Sequence, residues 1–114
     1  MNQARLHVDH KDIAGSIVLT LTGEIDIETT WILAHALDDA AAAHPPAVIV
    51  DLAAVSFMDS TGLTTLLVAH RNLTGQGSRI ALAQVRQPVL RVLDLTGVDT
   101  VIPLYASVDQ ALQT

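Results

Sequence analysis

The segment Ala47-Val48-Ile49-Val50-Asp51-Leu52 constrains the fold more than any other part of the chain. It is a short, nearly continuous β-branched and apolar run, preceded by the helix-stopping pair Pro45-Pro46, and it suits a strand covered on both faces. Strands in a parallel sheet flanked by helices are covered in that way, so the run predicts the central strand of an α/β fold. Downstream, Ser60 to Thr74 carries Leu63, Leu66, Leu67, His70 and Leu73 or Thr74 at i, i+3, i+4, i+7 spacing. That is the period of a helix, here ending at Gly75 as its left-handed closing residue.

The remaining elements alternate in the same manner. Arg5–Asp9 alternates polar and apolar residues, and Ser16–Leu21 follows after the turn-prone stretch Asp12–Gly15, which together predict an edge hairpin broken at Gly23. Glu28–Ala43 predicts a first helix with Trp31, Ala34, Leu37 and Ala41 on its apolar side. Arg79–Val85 predicts the next strand. Pro88 opens a third helix in which Val89, Val92, Leu93 and Thr96 share a face before Gly97 ends it. Val101-Ile102 is a minimal extended segment, and Ser107-Val108-Asp109-Gln110 has the spacing of a capping box, predicting a last short helix.

Composition removes several function classes. The 114 residues predict one domain spanning residues 1–114, large enough to bury roughly 65% of its unfolded surface without staples. No cysteine is present, which excludes disulfide scaffolds and thiol chemistry. The six basic residues are scattered against twelve acidic ones, giving a net charge of −6 and no patch for a phosphodiester backbone. Trp31, Phe57 and Tyr105 are too few to stack bases, so nucleic-acid binding is not expected. No apolar run approaches ~18 residues, and Met1–Asp12 lacks the apolar centre of a signal peptide; the expectation is a cytoplasmic protein without membrane insertion.

The chemistry-bearing segment is Phe57-Met58-Asp59-Ser60-Thr61-Gly62-Leu63, where the central strand hands over to the second helix. Asp59 or Ser60 caps that helix. Its first backbone N–H groups lack intrahelical partners and its dipole places partial positive charge there, so a phosphate added to Ser60 is accommodated. Such a group brings about −1.5 to −2 charges, enough to repel an acidic partner. Asp-Ser-Thr-Gly is equally the signature of an ordinary helix N-cap, and the two roles are compatible.

The segments Gly23-Glu24-Ile25-Asp26, Val48–Leu52, Phe57–Leu63, Gly77–Leu82 and Val92–Gly97 together resemble the STAS family, in order and over nearly the whole chain. Met58-Asp59-Ser60-Thr61-Gly62-Leu63 is the most specific part, and the chain looks like the stand-alone bacterial anti-sigma factor antagonists. The resemblance implies a mixed four- or five-stranded sheet with about four helices packed mainly on one side. It also implies partner switching: the unphosphorylated protein binds an anti-sigma factor that is itself a serine kinase, which frees the sigma factor and thereby regulates transcription. Phosphorylation ends that interaction, and a cognate phosphatase resets it. Carried onto this chain, the phosphoacceptor is Ser60, with Thr61 as a secondary hydroxyl. Asp59, Thr61, Gly62 and Asp26 fall at partner-contact positions, Gly62 letting the helix start close to the partner. Asp26 is also placed to cap the first helix. No cofactor is implied, since nucleotide is bound by the kinase. The alternative within the family is a non-switching STAS subunit of a transport complex, such as a lipid-transport ATPase.

Enzymatic chemistry finds little support. A nucleophile elbow needs glycine at position 58, where Met58 stands. His70 lies about 15 Å along the helix from Ser60, too far to act as its base. His7, Asp9, His10 and Asp12 are ligand-type residues, but in a strand His10 points away from His7 and Asp9, so no metal site is expected. Asp51 and Asp59 have no accompanying base or oxyanion donor to make a hydrolase. At the ends of their elements, Asp26, Asp51 and Asp59 are expected to gather near Ser60.

Overall fold

The computed structural model describes residues 5–114, and its centre is the strand that the β-branched run begins. That strand, β3, covers Ala47–Met58, and it lies third in a five-stranded sheet of order β1-β2-β3-β4-β5. β1 (Leu6–Ile13) pairs antiparallel with β2 (Ser16–Ile25); β2, β3, β4 (Arg79–Ala83) and β5 (Leu104–Tyr105) run parallel. The sheet is therefore mixed and five-stranded.

Alternation along β3 feeds two cores. Val48, Val50, Leu52, Val55 and Met58 point into the larger one, with Leu33 and Leu37 of α1 (Thr30–Ala42), Leu63, Leu66 and Leu73 of α2 (Ser60–Gly75) and Val89 and Leu93 of α3 (Gln87–Thr96). Each fully buried Leu or Val contributes about 1.5–3 kcal/mol relative to exposure, so this face carries most of the stability. The opposite face is lined by Val18 and Ile49 with Ala47, Ala81 and Ala83, and the three alanines leave room for α4 (Val108–Gln113) to lie close on Ala111. Six residues are too few for a self-supporting helix. Packing holds it, together with the Ser107 side chain accepting from the Gln110 N–H at 3.1 Å and Arg79 donating to the Ala111 carbonyl at 2.7 Å. Three helices on one face and one on the other is the expected arrangement.

Several boundaries differ from the sequence reading, each for a physical reason. β1 continues past Asp9 to Ile13 because the ladder to β2 carries its polar residues, and Ala14-Gly15 alone makes the turn, at φ values of 53° and 89°. α1 starts at Thr30, after Glu28, and turns Leu33, Leu37 and Ala40 inward, leaving Trp31 65% exposed. α2 is closed by Gly77, at φ 84°, instead of Gly75: the Ser78 N–H reaches the Leu73 carbonyl at 2.8 Å and the Gly77 N–H the Thr74 carbonyl at 3.1 Å. α3 does end at Gly97. β4 stops at Ala83, short of Val85, and the last strand is Leu104–Tyr105, because Val101 ends a short 3-10 helix, Val98–Thr100.

Gly23 does not break β2. It sits within the strand at φ 124°, and a Cβ there would lie 1.9 Å from the Arg5 carbonyl oxygen. The glycine is thus what lets β1 start against β2. On either side of it β3 carries one extra residue, between Thr20/Thr22 and again between Gly23/Glu24, so the strand bends as it approaches the start of α2. Gly23→Ala is expected to cost at least about 2 kcal/mol, combining a strained φ with a backbone collision, read as a lowered urea midpoint at unchanged slope.

Candidate functional site

The C-terminal ends of β2 and β3 lie side by side, with Ile25 paired to Met58, and the Asp59 N–H donates to the Ile25 carbonyl at 3.1 Å. This bond pins the residue from which α2 springs. Asp59, in extended backbone, is the N-cap: its Oδ1 accepts from the Thr61 N–H at 2.9 Å and also from the Thr61 hydroxyl. Thr30 Oγ1 donates to the Thr61 carbonyl at 3.2 Å and lies 2.8 Å from Thr65 Oγ1, fastening the first turn of α1 to the first turn of α2.

Ser60 occupies the first helical position and is exposed. Its carbonyl accepts from Thr64 Oγ1 at 3.0 Å, and no other described residue holds its hydroxyl by a hydrogen bond. The half-buried Thr61 hydroxyl is already committed to Asp59. Two adjacent hydroxyls thus differ in accessibility.

Gly62 corrects an expectation. It is buried and faces the sheet: a Cβ would meet Ile25 Cγ2 at 2.7 Å and Met58 Cγ at 2.8 Å. The missing side chain lets the helix approach its own sheet, so Gly62 sets the position of Ser60 from beneath.

Asp26 and Asp59 directly follow Ile25 and Met58, the last paired positions of β2 and β3. Its Oδ1 accepts from the N–H groups of Glu28 at 2.9 Å and Thr29 at 3.2 Å, so it holds the turn that leads into α1. The N-cap of α1 is Thr29, whose buried hydroxyl donates to the Glu24 carbonyl at 2.8 Å, so Asp26 does not cap the helix itself. Asp51 lies in the middle of β3, paired with Thr20 and Ala83, and accepts from Gln84 at 3.1 Å. Seven residues of strand, a span of roughly 25 Å, separate it from Asp59, so it does not join the group around Ser60.

The sequence reading missed two contributors. Arg5, just ahead of β1, forms ion pairs with Glu24 at 2.7 Å, Asp26 at 2.7 Å and Glu28 at 2.8 Å. The only sequence signal for this is register, because pairing Leu6 with Gly23 sets Arg5 opposite Glu24. The Arg5 hydrogen bond holds the Asp26 carboxyl below the usual carboxylate range, helped by the Glu28 N–H, and Arg5 is correspondingly harder to deprotonate. The second contributor is apolar: Ile27 and Trp31 are 75% and 65% exposed, joining Phe57 of the segment already singled out, which is 48% exposed. Large apolar side chains exposed beside a helix start mark a contact surface. Among the described residues, no set of three His, Asp or Glu side chains converges to hold a metal ion.

A mixed five-stranded sheet with a capped helix start at the end of its central strand is also what the comparisons with known proteins return. The STAS domain family profile matches residues 7–111, and the chain belongs to that family. It is 33% identical over 104 residues to the anti-sigma-F factor antagonist RsfB of Mycobacterium tuberculosis, covering 91% of this chain and 82% of that one. The anti-sigma F factor antagonist of Paenibacillus polymyxa is 28% identical over 108 residues, covering 94% and 92%. Among solved structures, an anti-sigma factor antagonist from Mycobacterium paratuberculosis superposes with a TM-score of 0.88 at 34% identity, covering 95% and 92%. No helix among the described residues is long and apolar enough to cross a membrane.

Two outcomes test the site. Asp59→Ala should lose about 1 kcal/mol in urea unfolding while Asp59→Asn, which keeps an acceptor, loses little. A depressed folded-state carboxyl stabilises above its unfolded pKa, and that contribution disappears as pH falls through the folded value. Removal of Arg5 is therefore expected to lower stability at neutral pH, with the gap to the parent closing as the pH falls through the carboxylate range, and to move the Asp26 carboxyl titration upward by NMR.

Proposed function

We propose that residues 1–114 form a single STAS domain that acts in the cytoplasm as an anti-sigma factor antagonist, switched by phosphorylation at Ser60. In its unmodified form it binds an anti-sigma factor that is also a serine kinase and so releases a sigma factor. Kinase transfer of phosphate to Ser60 ends the complex, and a cognate phosphatase restores it. Its role is regulatory, with the nucleotide and the catalysis on the partner.

The observation that carries this reading is the unequal pair of hydroxyls: Ser60 exposed and free of described partners, Thr61 tied to Asp59. Thr61 is then a secondary acceptor, reached only when that bond opens. A phosphate on Ser60 sits on a helix N-terminus, where the dipole stabilises it by about 0.3–1 kcal/mol, so the domain stays folded. Its effect falls on the partner instead, through about −1.5 to −2 added charges beside the Asp59 carboxylate. Asp26 adds less to that repulsion, because Arg5 pairs with it. Ile27, Trp31 and Phe57 supply the apolar part of the contact. Relatives of similar length that carry antagonist names favour the switch over a constitutive subunit of a transport complex.

Incubation with the cognate anti-sigma kinase and MgATP should add one phosphate, which peptide mass spectrometry places on Ser60. Ser60→Ala should bind the kinase like the parent and resist release. Ser60→Asp should bind more weakly, and raising the salt should recover part of that loss, because screening shortens the range of the repulsion. Phosphate found away from Ser60 and Thr61, or Ser60→Asp binding as tightly as the parent, refutes the switch.

A further inference from the structure

The edge strand β1 presents an open row of backbone groups. Among the described residues it pairs only with β2, through Leu6–Ile13. Ile13 and Ser16 flank the two-residue turn and exchange bonds with each other, and the Arg5 carbonyl also points at β2. Odd-numbered residues of β1 therefore bond inward, and Leu6, Val8, His10 and Asp12 turn their N–H and C=O groups to the open edge.

We propose that this edge binds a second copy of the chain, antiparallel about a two-fold axis at His10, continuing the sheet across both molecules. Charge complementarity selects this partner and this register. With His10 meeting its own copy, Asp9 lies opposite Lys11 of the second copy and Lys11 opposite its Asp9, on the face away from α1, at the closely spaced pair positions. Moving the axis to Asp9 opposes two carboxylates, and moving it to Lys11 opposes two ammonium groups. Charges on an edge strand ordinarily deter pairing. Here their order deters the neighbouring registers and favours one.

A second observation lies along the same edge. An open groove of about 430 Å³ runs between β1 and α1, lined by Leu6, Val8, Trp31, Ile32 and Ala36 among others. The second copy's strand lies along its outer side. Ser60, at the start of α2 just past the end of β3 and two strands from this edge, stays outside the contact, whereas Trp31 borders it.

Sedimentation velocity over a wide concentration range tests this with four proteins: the parent, Lys11→Asp, Asp9→Lys and the double exchange of both. Both changed positions are exposed, and thermal unfolding checks that each of the three variants is folded. The parent should dimerise, each single variant should associate about tenfold more weakly, and the double exchange should return to the parent's affinity. Amide exchange at His10 and Asp12 should slow as concentration rises. A parent that sediments as a monomer throughout overturns the proposal. So does a dimer indifferent to the single changes, or a double exchange no tighter than either single variant, since such a dimer uses another surface.

Discussion

The contact on which fold and site both depend is the one beneath Gly62. Helix α2 begins so close to the sheet that a single added carbon would strike Ile25 and Met58. Those residues are the paired last positions of β2 and β3. The helix start is therefore positioned by the sheet end, and the Asp59 N–H bond to Ile25 fixes it from the other side. Close packing of this kind transmits small changes in volume, because protein interiors have little slack. The exposed Ser60 inherits its position from buried neighbours.

Where the hydrophobic period was regular, the sequence was readable. Ala47–Leu52 marked the central strand, the spacing of Leu63, Leu66 and Leu73 marked α2, and the Ser107 and Gly97 signals marked helix ends. The second half of β3 was not readable, since its two extra residues place the buried side chains at Leu52, Val55 and Met58, a spacing of three that hides the strand period. Trp31 misled in the opposite sense. The helix buries the stripe through Leu33 and Leu37, and hydrophobicity alone does not say which of two overlapping stripes faces inward. Ser60, Asp59 and Thr61 fell at the helix start as expected, because capping chemistry is local. Arg5 escaped notice because its partners are nineteen or more residues away, and only strand register brings them together.

The acidic surplus also takes a different form from the one that composition suggests. Asp51 is withdrawn along β3, and Asp26 is matched by Arg5 together with Glu24 and Glu28. One guanidinium serves three carboxylates, which leaves this end of the molecule negative but locally ordered. The turn into α1 depends on the same Asp26, through its bonds from Glu28 and Thr29. Charge and backbone geometry are coupled at that residue.

The bond from the Thr61 hydroxyl to Asp59 has a consequence for chemical selectivity. Neighbouring serine and threonine hydroxyls have similar intrinsic reactivity, and a reagent meeting them in a disordered peptide has little basis for choice. Here the capping carboxylate occupies one of them and leaves the other in solvent. Discrimination between the two is thus written into the fold of the helix start, and under the proposed switch a kinase need recognise that helix start without having to tell one hydroxyl from the next.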